Sequence, residues 1–232
     1  MNSKNLIFEM DPFAFASENP INPLNMKLSN VNAGNQIRSF APQATLDQIR
    51  DAYFDLEPVS GATSREVYLR AVFPGTEFEP KGLAKENNIH CYWVPYRSHA
   101  VQGNGIANVP YVDLPTANPA YNIMLTGAMN GCSLVVTQPA NAANTIRVYH
   151  DSKHEANTFN GINVIARLDF DQQSFNSPYF YGDANNPTSF NFMYFKNGHW
   201  WVVSQPQSAA PGGHGQFAVS LRANKPPFEF QV

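Results

Sequence analysis

The sequence predicts an α+β fold, in which a sandwich of two mixed or antiparallel β-sheets is flanked by a few helices and long loops. Composition is the first reason for this prediction. Seventeen Phe and ten Tyr stand against 14% charged residues in a chain of 232, which is typical of sheet-rich proteins with a polar, weakly charged surface. The second reason is that short β-prone runs recur along the chain, whereas few segments have a helical period.

The length of the chain suits one domain with a sizeable core. Residues 1–44 are rich in Asn, Pro and Ser. We therefore expect them to form an irregular N-terminal arm packed on the domain, with one short strand near residues 6–9. Residues 45–232 are expected to form the single catalytic domain, since the chemically reactive residues described below all lie there.

The clearest helix is expected over residues 45–57. Thr45 is a candidate N-cap, and Gln48 stands at the capping-box position behind it. Pro58 is expected to end the helix. Four apolar residues share one helical face: Leu46, Ile49, Tyr53 and Leu56.

The middle of the chain contains several β-prone runs that end at turn residues. Residues 118–129 are expected to be helical, and residues 163–170 fit a strand or a helix equally well. Strands are expected at residues 65–73, 88–96, 132–137 and 145–150.

The C-terminal third is expected to be β-structure. Two β-prone runs, residues 189–195 and 200–204, flank Asn197 and Gly198. Asn-Gly between two such runs is the strongest short signal for a hairpin. Residues 216–222 and 228–232 are expected to form the last strands.

Charge and hydropathy exclude several classes of partner. The net charge is −3 and the pI about 6.0, without a basic cluster, so neither nucleic acid nor membrane insertion is expected. Glu9 and Asp11 interrupt the apolar start of the chain. We therefore expect a chain without a general signal peptide.

Two cysteines, Cys91 and Cys132, stand far apart in the sequence. Their spacing does not fit a metal pair, and no metal or organic cofactor is expected. A single disulfide and two free thiols both fit the sequence, and free thiols are favoured because no signal peptide is recognised.

Cys132 carries the strongest chemical signal in the sequence. It follows Gly131 in an apolar run, and His150 ends the next alternating run. If the two runs pair as antiparallel strands, the thiol and the imidazole come together as nucleophile and base. The backbone N–H groups of Gly131 and Cys132 would then stabilise an oxyanion.

Thr126 lies six positions before Cys132, on a predicted helix or turn, where its hydroxyl can accept a hydrogen bond from His150 and fix the imidazole tautomer. His154, four residues further on, is the alternative base. A structural interpretation also fits these residues, since a Cys after Gly is often a small core residue and a strand-end His often lies at the surface.

Four segments in order resemble the Burkholderia lethal factor family and, more distantly, the catalytic domain of the cytotoxic necrotizing factors. The resemblance covers roughly residues 88–151. It implies a sandwich of mixed sheets edged by helices, with Cys132 as nucleophile, His150 as base and Thr126 as third member. The segments are Trp-Val-Pro-Tyr-Arg (93–97), Ile-Met-Leu-Thr (123–126), Asn-Gly-Cys-Ser-Leu-Val (130–135) and Arg-Val-Tyr-His-Asp (147–151).

The resemblance implies a toxin that deamidates one glutamine of a host protein through a thioester. Its target would be a translation factor helicase or a Rho-type GTPase. Such a toxin would be made in the bacterial cytoplasm and would act in the host cytosol as a monomer. Two alternatives stay open. One is a different thiol enzyme, either a cysteine protease or a transglutaminase, and the other is a non-enzymatic β-sandwich module that binds glycans or proteins.

Overall fold

The computed structural model describes most of the chain in ten segments. Within them, no helix is long and apolar enough to cross a membrane. The described residues are 3–23, 49–59, 65–72, 88–97, 99–100, 102–155, 157–172, 177–183, 185–211 and 217–232.

Two short α-helices and fifteen β-strands make up the regular structure of the described residues, together with one 3-10 turn at Ile106–Asn108. The helices are α1 (Ser3–Met10) and α2 (Pro12–Glu18). The strands are β1 (Ile21–Asn22), β2 (Asp51–Pro58), β3 (Val67–Val72), β4 (Ile89–Val94), β5 (Tyr111–Pro115), β6 (Ile123–Thr126), β7 (Met129–Asn130), β8 (Ser133–Thr137), β9 (Thr145–Asp151), β10 (Val164–Asp169), β11 (Tyr179–Phe180), β12 (Thr188–Lys196), β13 (His199–Pro211), β14 (Phe217–Leu221) and β15 (Phe228–Gln231).

Ten strands form one sheet that curls into a nearly closed barrel, called the barrel sheet below. Its order is β1-β3-β2-β4-β6-β12-β13-β14, while β15 pairs with β13 and β7 pairs with β12. Side chains bridge the seam between the two ends of the barrel sheet. Asn22 donates to the Phe217 carbonyl at 2.8 Å, and Gln207 donates to the Ile21 carbonyl at 2.6 Å.

The other five strands form the second sheet, with the order β11-β10-β8-β9-β5. It packs on the outside of the barrel sheet, and a shared apolar core separates them. Strands β4, β6, β12 and β13 are therefore covered on both faces. Along β6, for example, Leu125 packs inside the barrel and Met124 packs against the second sheet.

The predicted α+β sandwich with flanking helices is wrong. The protein is mostly β, with the barrel sheet and a second sheet in place of two stacked sheets. Both helices lie at the N-terminus, where an irregular arm and a strand at residues 6–9 were expected. There, Phe8 of α1 and Phe15 of α2 pack into the core inside the barrel.

The helix predicted over residues 45–57 is a strand in its described part, since β2 covers Asp51–Pro58. Its candidate caps, Thr45 and Gln48, lie outside the described residues. Ala52, Phe54 and Leu56 alternate toward the core inside the barrel. The backbone groups of β2 form hydrogen bonds with β3 on one side and with β4 on the other. This long-range pairing overrides the local helical pattern.

The helix predicted over residues 118–129 is also wrong, because this segment contains β6 and the first residue of β7. All four residues of β6 are buried. A strand with both faces covered has no polar alternation, so its sequence cannot be told from a buried helix by period.

The other strand predictions are confirmed, and residues 163–170 prove to contain a strand, β10. The hairpin at Asn197 and Gly198 is present, with Lys196 opposite His199. Both turn residues have positive φ, 54° and 82°, as a type I′ turn requires.

Candidate functional site

Thr126 and His150 meet in the core between the two sheets. The hydroxyl of Thr126 donates to the Val94 carbonyl at 3.0 Å and lies 2.8 Å from Nδ1 of His150. Since the hydroxyl hydrogen is used on Val94, the oxygen accepts from Nδ1–H, and this leaves Nε2 of His150 without a proton. The ring of His150 stacks on Tyr96 at 5.4 Å.

Burial lowers the pKa of His150 from 6.5 to about 4, against an opposing effect of the Asp151 carboxylate. The side chain is 1% exposed. His150 is therefore a neutral imidazole at physiological pH, held in one tautomer by Thr126.

Cys132 lies on the same face of the second sheet as His150, one diagonal position away. Leu134 is the residue directly opposite His150 in the β8–β9 pair, and Cys132 precedes Leu134 by two. The Sγ atom of Cys132 contacts the Asn130 carbonyl at 3.9 Å. Among the described residues, no imidazole lies within hydrogen-bond distance of this thiol. Burial raises the pKa of Cys132 from its usual 9.0 to about 11; the hydrogen bond to the Asn130 carbonyl opposes this rise, and the nearby Asp151 carboxylate adds to it.

The two backbone groups predicted to hold an oxyanion already donate within the protein. The N–H of Gly131 donates to the Pro187 carbonyl at 3.0 Å. The N–H of Cys132 donates to the Tyr181 hydroxyl at 3.0 Å, and that hydroxyl donates back to the Cys132 carbonyl at 2.7 Å. Both cysteines are free thiols, and Cys91 is buried inside the barrel.

A buried polar cluster that no sequence motif indicated lies on the opposite face of the second sheet. Ser133 donates to Asp169 and lies 2.9 Å from Nδ1 of His154. Arg167 contacts both oxygens of Asp169, at 2.9 and 3.1 Å. His154, the alternative base, therefore contacts Ser133 instead of the Cys132 thiol. Burial lowers its pKa, and Asp169 and Asp151 oppose this effect.

Asp151 extends this polar cluster along the end of β9. One of its carboxylate oxygens accepts from Gln102 at 2.7 Å and from the Lys153 N–H at 3.1 Å. Gln102 in turn accepts from Ser152, so the segment before β5 is fastened to the end of β9. Among the described residues, no group of His, Cys, Asp and Glu is arranged to hold a metal ion.

A cleft of about 410 Å³ lies between β5 of the second sheet and the β2–β4 side of the barrel sheet, and we call it the tyrosine cleft. His90 lies beside it, with its ring between Tyr53, at 4.0 Å, and Tyr121, at 3.8 Å. The rings of Tyr92 and Tyr121 are 5.1 Å apart. The lining residues are Arg50, Asp51, Tyr92, Tyr111, Val112, Asp113 and Tyr121.

Short polar contacts hold the charged groups of the tyrosine cleft in place. Nε2 of His90 lies 3.0 Å from a carboxylate oxygen of Asp51. Arg147 binds Asp113 through two nitrogens, at 2.6 and 2.9 Å, and its guanidinium lies 3.9 Å from the ring centre of Tyr111. The hydrogen bond to Asp113 raises the pKa of Arg147, so this side chain stays charged at any accessible pH.

Comparison with known proteins identifies a family. The model of the Mcf1 activator-binding domain matches residues 75–232, which is more than half of the chain. No curated protein sequence matches the chain.

This family replaces the one that the sequence motifs suggested. The resemblance to the Burkholderia lethal factor and the cytotoxic necrotizing factors is wrong, because the matching family is not a family of deamidase toxins. The matched region includes β4 to β15 and therefore both Cys132 and most of the tyrosine cleft. The chain belongs to the Mcf1 activator-binding domain family.

Proposed function

We propose that this chain is a protein-binding module and that it binds an activator protein through the tyrosine cleft. The description of the family supports binding of an activator. The composition of the cleft supports its location. Of the alternatives that the sequence left open, the non-enzymatic binding module is the one that needs no chemistry at Cys132.

The observation that carries the proposal is the set of side chains that line the cleft. Three are Tyr, one is Arg, and two are Asp. Tyr and Arg are the residues that most often dominate binding energy at protein interfaces, because they offer a large contact area and a polar end. Ring stacking, the contact of Asp51 with His90 and the ion pair of Asp113 with Arg147 already order these side chains, so a partner pays little entropy to immobilise them.

Proton affinities explain why catalysis is less well supported. Moving the proton from Cys132, with a pKa of about 11, to His150, with a pKa of about 4, spans seven powers of ten. Burial of the two groups opposes the transfer from both sides, because it disfavours the thiolate as well as the imidazolium. A reactive thiolate–imidazolium pair is therefore unfavourable in this arrangement.

Tyr121→Ala is expected to weaken binding of the partner about 30-fold, the effect of losing a tyrosine worth about 2 kcal/mol. Tyr121 is half buried at the cleft and lies outside the apolar cores. The immobilised chain would be exposed to a cytosolic extract of eukaryotic cells, and the captured protein would be purified and titrated against each variant by calorimetry.

Tyr68→Ala is the matched control for this capture, because Tyr68 is equally half buried but lies on β3, away from the cleft. It should leave the affinity unchanged. A partner that binds the Tyr121→Ala variant as tightly as the wild type would overturn the assignment of the cleft. Ile165→Ser would test the exposed apolar side of β10, where Ile165 is 43% exposed, as the other location.

Thiol chemistry is the second candidate function, in the form of a host-protein glutamine deamidase or of a related protease or transglutaminase. The hydrogen bond between Thr126 and His150 favours it, because it orients an unprotonated nitrogen on the same face as Cys132. The protein partner would then be the host substrate of the enzyme, in place of an activator.

Alkylation of Cys132 by iodoacetamide tests this candidate. With a pKa of about 11, the thiolate fraction near neutral pH is about 100-fold below that of a thiol at its usual pKa of 9.0. At neutral pH we expect Cys132 to be alkylated more slowly than a free thiol by a similar factor. Its alkylation rate should then increase with pH up to about pH 11. The rate is measured by peptide mass spectrometry, which separates Cys132 from buried Cys91. A rate at neutral pH equal to that of a free thiol would favour catalysis instead.

A further inference from the structure

The register of β5 shows which of its backbone groups face β9. The N–H of His150 donates to the Pro110 carbonyl, and the N–H of Thr116 donates to the Asn144 carbonyl. Tyr111 stands opposite Tyr149, and Asp113 stands opposite Arg147. Because bonded and non-bonded pairs alternate in an antiparallel ladder, Val112 and Leu114 bond to β9. The N–H and C=O groups of Tyr111 and Asp113 therefore point away from the second sheet.

These outward groups form an open sheet edge. Strand β5 is the last strand of the second sheet, and β9 is its one partner among the described strands. No described residue makes a hydrogen bond to the N–H or C=O of Tyr111 or Asp113. The next outward carbonyl, that of Pro115, accepts from the indole of Trp200 at 2.8 Å. The edge thus offers two N–H donors and two C=O acceptors, those of Tyr111 and Asp113, to a further strand.

The open edge of β5 is one wall of the tyrosine cleft. The cleft touches three consecutive residues, Tyr111, Val112 and Asp113. Their side chains alternate between the two faces of the sheet, and that of Val112 is buried in the core at 2% exposure. A cavity that touches all three lies along the edge of the strand and not over one face. Tyr92 and Tyr121 form the facing wall.

We infer that an extended segment of the protein partner adds to β5 as a further β-strand and occupies the tyrosine cleft. The inference rests on the proposed function and names the binding mode. Main-chain hydrogen bonds to Tyr111 and Asp113 supply the pairing, and alternate side chains of the segment pack on the rings of Tyr92 and Tyr121. A folded partner surface without a free strand would leave the four backbone groups unpaired.

Two prolines limit this pairing to a short segment. Pro110 precedes β5 and Pro115 ends it, so the open edge between them is too short to recruit a long strand from another copy of the chain. Prolines and charged side chains on an edge protect a sheet against indiscriminate pairing. Specific binding then depends on the tyrosine rings as well as on the backbone.

The test uses random linear peptides displayed on phage, selected on the intact chain and then synthesised. Asp113→Pro removes the outward N–H, which takes no part in the ladder with β9, so an edge position tolerates it. Asp113→Ala loses the same carboxylate but keeps the N–H. We expect selected peptides to bind Asp113→Pro about tenfold more weakly than Asp113→Ala, the effect of about one hydrogen bond.

Hydrogen exchange on the wild-type chain gives a second measurement, which stands even if Asp113→Pro fails to fold. A saturating peptide should slow exchange at the amides of Tyr111 and Asp113. The amides of Val112 and Leu114, already bonded to β9, should not change. Equal affinity for the two variants, no slowing at the two outward amides, or no enriched peptide at all would overturn the added strand. A partner whose capture still depends on Tyr121 would then leave the proposed function standing.

Discussion

Arg167→Met is expected to destabilise the protein by about 3–5 kcal/mol, which is the range for breaking one half of a buried ion pair. The carboxylate of Asp169 is fully buried, and Arg167 is the cation that contacts both of its oxygens. Met fills a similar volume but leaves the charge of Asp169 with Ser133 and His154. The free energy of unfolding would be measured by urea denaturation followed by circular dichroism.

Arg147→Met is the matched control, since it removes the same side chain from a pair at the surface. The pair of Arg147 and Asp113 has equally short contacts, but its side chains are 29% and 44% exposed. Solvent screens such a pair, so the expected loss is below about 1 kcal/mol. Removing both charges, with Arg167→Met and Asp169→Leu together, should recover much of the stability. Equal losses at Arg167 and Arg147 would contradict the assignment of Asp169 as a buried charge.

Local signals in the sequence predict the parts of the fold that depend on neighbouring residues. The hairpin at Asn197 and Gly198 follows from turn chemistry, and the pairing of β8 with β9 follows from two β-prone runs joined by one loop. The contact between Thr126 and His150 was also expected, but it arises where β6 of the barrel sheet packs on the second sheet, and Thr126 lies on a strand and not on a helix or turn. Its catalytic role stays a prediction.

Long-range pairing explains where the sequence misleads. The segment that contains β2 has apolar residues at both helical and strand spacing, and only its partners β3 and β4, which come later in the chain, decide between them. Strands covered on both faces, such as β6, have no period to read. The sequence therefore overestimates helix in both places, and with it the flanking helices of the predicted sandwich.

The polar cluster and the tyrosine cleft could not be predicted from the sequence, because both are formed by residues that only long-range pairing and packing bring together. Ser133 meets Asp169 because β8 pairs with β10, and 36 positions separate the two residues. The lining residues of the cleft come from two different sheets. A Tyr at the end of a strand is common, and only the arrangement of the two sheets brings these rings together.

Acid is expected to destabilise the protein through His150, with a loss of about 3 kcal/mol between pH 6.5 and pH 4. The pKa of His150 is about 4 in the folded protein and about 6.5 in the unfolded chain. Between pH 6.5 and pH 4, His150 is therefore protonated in the unfolded chain but stays neutral in the folded protein. Stability falls by about 1.4 kcal/mol per pH unit in this window. Above pH 6.5 His150 causes no loss of stability, and below about pH 4 the loss does not increase further.

The comparison that isolates this effect is His150→Phe, which keeps an aromatic ring against Tyr96 but does not titrate. The variant loses the hydrogen bond to Thr126 at every pH, so its stability starts lower, but its decline from pH 7 to pH 4 should be about 3 kcal/mol smaller. His154 contributes in the same direction, since its pKa is also lowered by burial, and His154→Gln measures that part separately. Parallel pH profiles for wild type and His150→Phe would mean that His150 is protonated without cost in the folded protein. The proton transfer from Cys132 would then be opposed by the raised pKa of the thiol alone.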